Sequence, residues 1–118
     1  MSDVKTFRDL LAWQRAMQLA QELYGATGTM PDSERFGLTS QMRHSAVSVP
    51  SNIAEGYAKQ STDEYLRFLR IARGSLAELA TQIDLSTRLR FIQPPLVLTD
   101  LLAETDRVLQ GLIRSLER

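Results

Sequence analysis

Two groups of residues in this chain have the types and spacing to do chemistry. The first lies in Ser48-Val49-Pro50-Ser51-Asn52-Ile53-Ala54-Glu55-Gly56, where Asn52 and Glu55 stand three residues apart beside a proline. On a helix that spacing puts an amide and a carboxylate on one face, a small polar site able to orient a ligand. The second is a set of arginines, Arg67, Arg70 and Arg73 at three-residue steps, with Arg43-His44 elsewhere. Guanidinium forks match phosphate oxygens, so this set suits nucleic acid. Catalysis needs more than either offers. No base, nucleophile or metal ligand lies near Glu55 in sequence, and the chain has no cysteine. His44 is the only histidine, which excludes a histidine-rich metal site within one chain. No glycine-rich phosphate loop or Ser/His/Asp pattern occurs. The expectation is a protein without catalytic residues, metal or cofactor.

Composition narrows the class. The chain has 118 residues, enough for one domain with one core, and 43% of them are apolar. Formal net charge is zero, which argues against bulk positive charge as the means of holding nucleic acid. Positive charge is nevertheless carried by twelve arginines against two lysines. No apolar run approaches the ~20 residues of a membrane span. Met1-Ser2-Asp3-Val4-Lys5 lacks the apolar centre of a signal peptide, so a cytoplasmic location without membrane contact is expected.

The elements that must position these residues read as helices. Thr6 can cap a helix with Asp9 in its first turn, and Leu10, Trp13, Met17, Ala20 and Tyr24 form a stripe. Leu11, Ala16, Leu19 and Leu23 widen that stripe, which suits contact with more than one neighbour. A second helix, irregular at Gly37, carries Leu38, Met42, Ala46, Val49 and Ile53 on its apolar side. Pro50 inside it removes a donor from the Ala46 carbonyl and predicts a kink, with Ser48, Ser51 or Asn52 serving the freed oxygen. Ser61 to Glu64 has the form of a capping box for the third helix, whose seam is Tyr65, Leu69, Ala72, Leu76, Leu79 and Ile83. Pro94-Pro95 makes a stiff turn and can supply the first position of a fourth helix, with Leu98, Leu101, Leu102, Thr105, Val108, Leu109, Leu112 and Leu116 on its apolar face. The spacing predicts one all-α domain over residues 1–118. It is an antiparallel up-down-up-down four-helix bundle with helices at about 7–26, 34–58, 62–90 and 95–117.

Within that frame both groups acquire a second meaning. Gln41, Ser45, Ser48, Asn52 and Glu55 form a polar stripe on the second helix, which equally suits a hydrogen-bonded seam against another helix. Gly56, Gly74 and Ser75 mark expected close helix packing, because an interior glycine costs ~1 kcal/mol against alanine unless a neighbour approaches. The arginines equally suit salt bridges to Glu64, Glu78, Asp63 or Glu55.

The chain resembles the four-helix-bundle family of 23S rRNA intervening-sequence proteins. The residues that carry the resemblance include Phe7-Arg8-Asp9-Leu10, Trp13, Phe36-Gly37-Leu38, Ser48, Asn52-Ile53-Ala54-Glu55-Gly56, Glu64-Tyr65 and Gly74-Ser75-Leu76 with Glu78-Leu79. They spread over about residues 6–117, nearly the whole chain. The resemblance implies a small bacterial protein, and a likeness to pentameric accessory variability proteins of retroelements, which bind nucleic acid. By it, this chain would be a ring-shaped homopentamer. Those relatives are strongly basic, whereas this chain is neutral. The expected function is therefore a non-enzymatic, self-assembling interaction or scaffold protein with RNA or another protein as partner. The alternative is an RNA-binding accessory protein that uses the arginine faces of the ring.

Overall fold

The computed structural model describes residues 3–117. Four helices, α1 (Leu11–Ala26), α2 (Leu38–Tyr57), α3 (Thr62–Arg88) and α4 (Leu96–Leu116), run antiparallel in an up-down-up-down bundle. No strand occurs among the described residues. α1 packs on α2 and α4, and α3 packs on both as well, so the helices sit at the corners of a square. The most extensive packing is between α2 and α3.

The first helix starts later than residue 7. Thr6 does form a capping box with Asp9, but it closes a single 3-10 turn, Phe7–Asp9. The Asp9 carboxylate accepts the Lys5 and Thr6 amides at 2.9 and 3.1 Å. Leu10 is then extended and turns into the core, so α1 begins at Leu11. Gln14 bridges the break by donating to the Arg8 carbonyl at 2.9 Å.

Residue 34 likewise ends a 3-10 turn, Asp32–Glu34, rather than starting α2. Gly37 is non-helical, as expected of an irregular point, and sits at the N-cap. Its side-chain capping is supplied by Glu34, whose carboxylate accepts the Leu38 amide at 3.2 Å. α2 passes through Pro50 without interruption.

Ser61 caps α3 by accepting the Glu64 amide at 3.1 Å. α3 ends at Arg88 instead of residue 90. Arg90 has φ 62°, and the Arg90 and Phe91 amides donate to the Thr87 and Ser86 carbonyls at 3.0 and 2.9 Å. That is a Schellman end built on an arginine where glycine is usual. Pro95 is the N-cap of α4, one residue outside the helix, and its carbonyl accepts the Leu98 amide at 3.0 Å.

The core is filled by Leu19 and Leu23 of α1, Met42, Val49 and Ile53 of α2, Leu69 and Leu79 of α3, and Leu98 and Leu109 of α4. Each such side chain contributes roughly 1.5–3 kcal/mol by leaving water. In α1 the buried face is Ala12, Ala16, Leu19, Ala20 and Leu23. Trp13 is only half-buried, and Met17 and Tyr24 are exposed, so the stripe expected to be central lies on the flank toward α2. On the opposite flank Arg15 pairs with Glu104 of α4 at 3.3 Å.

Candidate functional site

The polar stripe of α2 meets α3. Ser48 and Ser75 share a hydroxyl–hydroxyl bond of 2.8 Å across the two helices. Asn52 donates from Nδ2 to the Ser48 carbonyl at 2.8 Å and to its Oγ at 2.9 Å. The Asn52 amide is thus engaged with Ser48, not with the Ala46 carbonyl that Pro50 leaves without a donor. Ser45 and Pro50 are buried, while Gln41 and Glu55 are exposed. Glu55 lies close enough to Arg67 to favour its charged form. The structure therefore brings Ser48, Asn52 and Ser75 together and leaves Glu55 outside that cluster.

Gly56 lies at a close approach of α2 to α3. A Cβ there would sit 2.8 Å from Phe68 Cβ and 3.2 Å from the Tyr65 carbonyl oxygen. Tyr57 and Tyr65 flank it edge-to-face at 6.0 Å. The Tyr65 hydroxyl is buried without a partner, and burial, with Tyr57 beside it, pushes its pKa up to about 12. Gly74 is different. It is exposed, and an added Cβ would meet nothing within 4 Å. The close approach expected there does not occur within the protomer; Ser75 beside it is the residue that packs.

The arginine row of α3 is matched by carboxylates. Arg67 makes a two-pronged bond to Glu64 at 3.0 and 3.2 Å. That bond holds the Glu64 carboxyl below its usual range and raises the guanidinium. Arg70 reaches Glu117, just past the end of α4, at 2.8 Å, and Arg73 reaches Asp106 on α4 at 3.4 Å. Of the four acids expected to pair, Glu64 does so, and the other two partners belong to α4 and the residue that follows it. Exposed pairs of this kind add little to stability, but they neutralise the row.

Arg43 ties α2 to the end of α1. Its Nε donates to Thr27 Oγ1 at 3.0 Å, its Nη2 to the Tyr24 carbonyl at 3.3 Å, and its guanidinium lies 4.6 Å over the Tyr24 ring. A cation on the last carbonyls of a helix also complements its dipole. His44, next to it, is exposed.

Two grooves escaped the sequence-based expectations. One, of about 620 Å³, runs between α1 and α2 and is lined by Trp13, Met17, Tyr24, Val47, Pro50 and Ala54 among others, none of them charged. The other, of about 700 Å³, runs between α3 and α4 over Gly74, Leu76, Ala77, Leu102, Ala103 and Ile113, beneath the Arg70–Glu117 and Arg73–Asp106 pairs. In the square arrangement these are opposite faces. Their signals in sequence were the Trp13–Met17–Tyr24 flank and the run of small residues Gly74, Ala77 and Ala80.

Among the described residues no group of three or more His, Cys, Asp or Glu side chains is placed to hold a metal ion. No described helix is long and apolar enough to cross a membrane. The chain has no match among curated proteins. The family model described as 23S rRNA-intervening sequence protein matches residues 8–114, nearly the full length of the bundle. The chain belongs to the 23S rRNA-intervening sequence protein family.

Proposed function

We propose that this protein is a non-enzymatic scaffold that works in the cytoplasm as a closed ring of identical subunits, presenting a repeated surface to a protein partner. The observation that carries the proposal is the pair of apolar grooves on opposite faces of the bundle, one free of charge and one open at Gly74. Two different faces favour a head-to-tail contact, which closes into a ring, over a two-fold dimer that uses one face twice. The α1/α2 face of one copy packs on the α3/α4 face of the next, and an ordinary methyl-free surface at Gly74 lets a helix come close. Five subunits is the number suggested by the family resemblance. The polar cluster of Ser48, Asn52 and Ser75 fits a seam between helices, since its hydrogen-bonding groups answer one another. RNA binding through the α3 arginines is the weaker alternative, because Arg67, Arg70 and Arg73 each already face a carboxylate.

Native mass spectrometry tests the assembly. Wild type is expected at a single multiple of the chain mass, and Met17→Glu or Ala77→Glu at the mass of one chain with unchanged helical circular dichroism. A monomeric wild type overturns the proposal. Labelled RNA that binds with steep salt dependence, and loses affinity on alanine substitution of Arg67, Arg70 and Arg73 together, would instead favour the RNA alternative.

A further inference from the structure

The described methionines differ sharply in their access to water. Met42 is sealed in the core and Met30 is half-buried, whereas Met17 is 44% exposed. Met17 stands one turn from Trp13 and two turns from Tyr24 on α1. With them it lines the groove between α1 and α2, whose wall carries no charged residue. A thioether fills such a surface as a leucine would, but it is also open to oxidation.

The face assigned to the neighbouring subunit is shaped for this side chain. Gly74, Ala77, Ala80 and Ala103 lay a row of small residues along the groove between α3 and α4. Bulky side chains on one face and small ones on the other can interdigitate at the density of a protein interior. That row brings no side-chain donor, and its backbone amides are taken up within α3 and α4. Opposite it, a thioether loses nothing on burial. A sulfoxide oxygen is a strong acceptor, solvated while the subunit is free and left without a donor from the facing row when the groove is covered.

We propose that Met17 is a redox switch on assembly, in which a hydroperoxide converts its thioether to the sulfoxide in subunits that are apart and the sulfoxide keeps them apart. The inference rests on the ring proposed above. In the closed ring the neighbouring subunit covers the sulfur, so oxidation acts on subunits before they assemble or when they separate. The sulfur attacks one peroxide oxygen, the S–O bond forms as the O–O bond breaks, and with hydrogen peroxide the second oxygen leaves as water. Sulfur gives up two electrons and the peroxide takes them. Two thiols reverse the step through methionine sulfoxide reductases, yielding a disulfide and water.

Hydrogen peroxide treatment of assembled and of dilute protein, stopped with catalase and read by peptide mapping and native mass spectrometry, tests the switch. Met17 is expected to oxidise faster in dilute protein, with Met30 reacting alike in both. After reconcentration, chains carrying the Met17 sulfoxide keep their helical circular dichroism but need about tenfold or more higher concentration to assemble. Methionine sulfoxide reductases A and B with dithiothreitol restore assembly. Met17→Leu assembles and ignores peroxide, and Met17→Gln, polar and uncharged, stays apart without it. Reduced wild type that is a single chain at every concentration overturns the ring and the switch together. Reduced wild type that assembles, with sulfoxide chains assembling equally well, overturns the switch alone. Equal rates of Met17 oxidation at the two concentrations do the same, as does peroxide-driven dissociation of Met17→Leu.

Discussion

Two glycines that look alike in sequence should respond oppositely to the same methyl group. Gly74 lies in the middle of α3 with nothing within 4 Å of an added Cβ, so alanine there supplies helix propensity without a clash. The gain is ~1 kcal/mol. For 118 residues the unfolding entropy is about 0.25 kcal/mol/K, so the midpoint should rise by ~4 °C. Gly56 is the next-to-last residue of α2, and its added Cβ would lie 2.8 Å from Phe68 Cβ, a carbon close to the backbone that no rotamer change can remove. Carbon contacts want ~3.5–4 Å, so the helices must part by about 1 Å. Overpacking of this kind costs ~1–3 kcal/mol, which outweighs any gain in propensity near a helix end, and the midpoint should fall by ~4–12 °C. The two variants are best measured by urea and thermal unfolding in a Met17→Glu background, which on the proposed assembly keeps protomers apart. In that background a stabilising Gly56→Ala or a destabilising Gly74→Ala refutes the packing described. In assembled protein Gly74→Ala should loosen the ring, because the methyl enters the cleft assigned to the neighbouring copy.

Three further substitutions probe single features. Arg90→Gly relieves a left-handed arginine, at ~1–2 kcal/mol, against the extra unfolded-state freedom of glycine; a net gain of about 0.5–1 kcal/mol in urea unfolding is expected. Tyr65→Phe removes a buried hydroxyl with no partner and should leave stability unchanged or higher near neutral pH. Because the Tyr65 pKa is raised from 10.0 to about 12 on folding, its stability contribution is present below pH 10 and is lost as pH rises through 12. Stability measured between those values should fall in wild type with a slope that Tyr65→Phe reduces, and the phenolate absorbance step near 12 should vanish with it. Asn52→Leu should lower the unfolding free energy measured in urea by ~1 kcal/mol through loss of its bonds to Ser48, and Arg70→Ala by less, since its pair with Glu117 is exposed; equal small losses would contradict the seam.

The helices were legible because their local signals agree: Ser61 before Glu64, the two prolines before α4, and long runs of three- and four-residue spacing. Their starts were less so. Thr6 and Asp9 satisfy one another in a 3-10 turn as well as in an α-helix, and a cap pattern alone does not say how far the helix continues. The central face of α1 was ambiguous because Leu10–Trp13–Met17–Ala20–Tyr24 and Ala12–Ala16–Leu19–Leu23 both follow helical spacing; small alanines on the second set let α1 sit closer to its neighbours. The partners of Arg70 and Arg73 depend on the register of α3 against α4, 47 and 33 residues away along the chain. Local spacing carries no information about that register. The role of Arg43 was half visible, since the residue stood out but its partners Thr27 and Tyr24 lie 16 and 19 residues back along the chain.

Trp13 is the single tryptophan of the chain and lies in the wall of the charge-free groove, edge-on to Phe7 at 5.4 Å. Its indole is neither sealed in the core nor fully wet. The protein therefore contains its own optical gauge of that face: emission should move toward the blue, and quenching by iodide should weaken, when another chain lies over the groove. Dilution would reverse both changes at the concentration where subunits part, without a dye, a tag or an introduced cysteine.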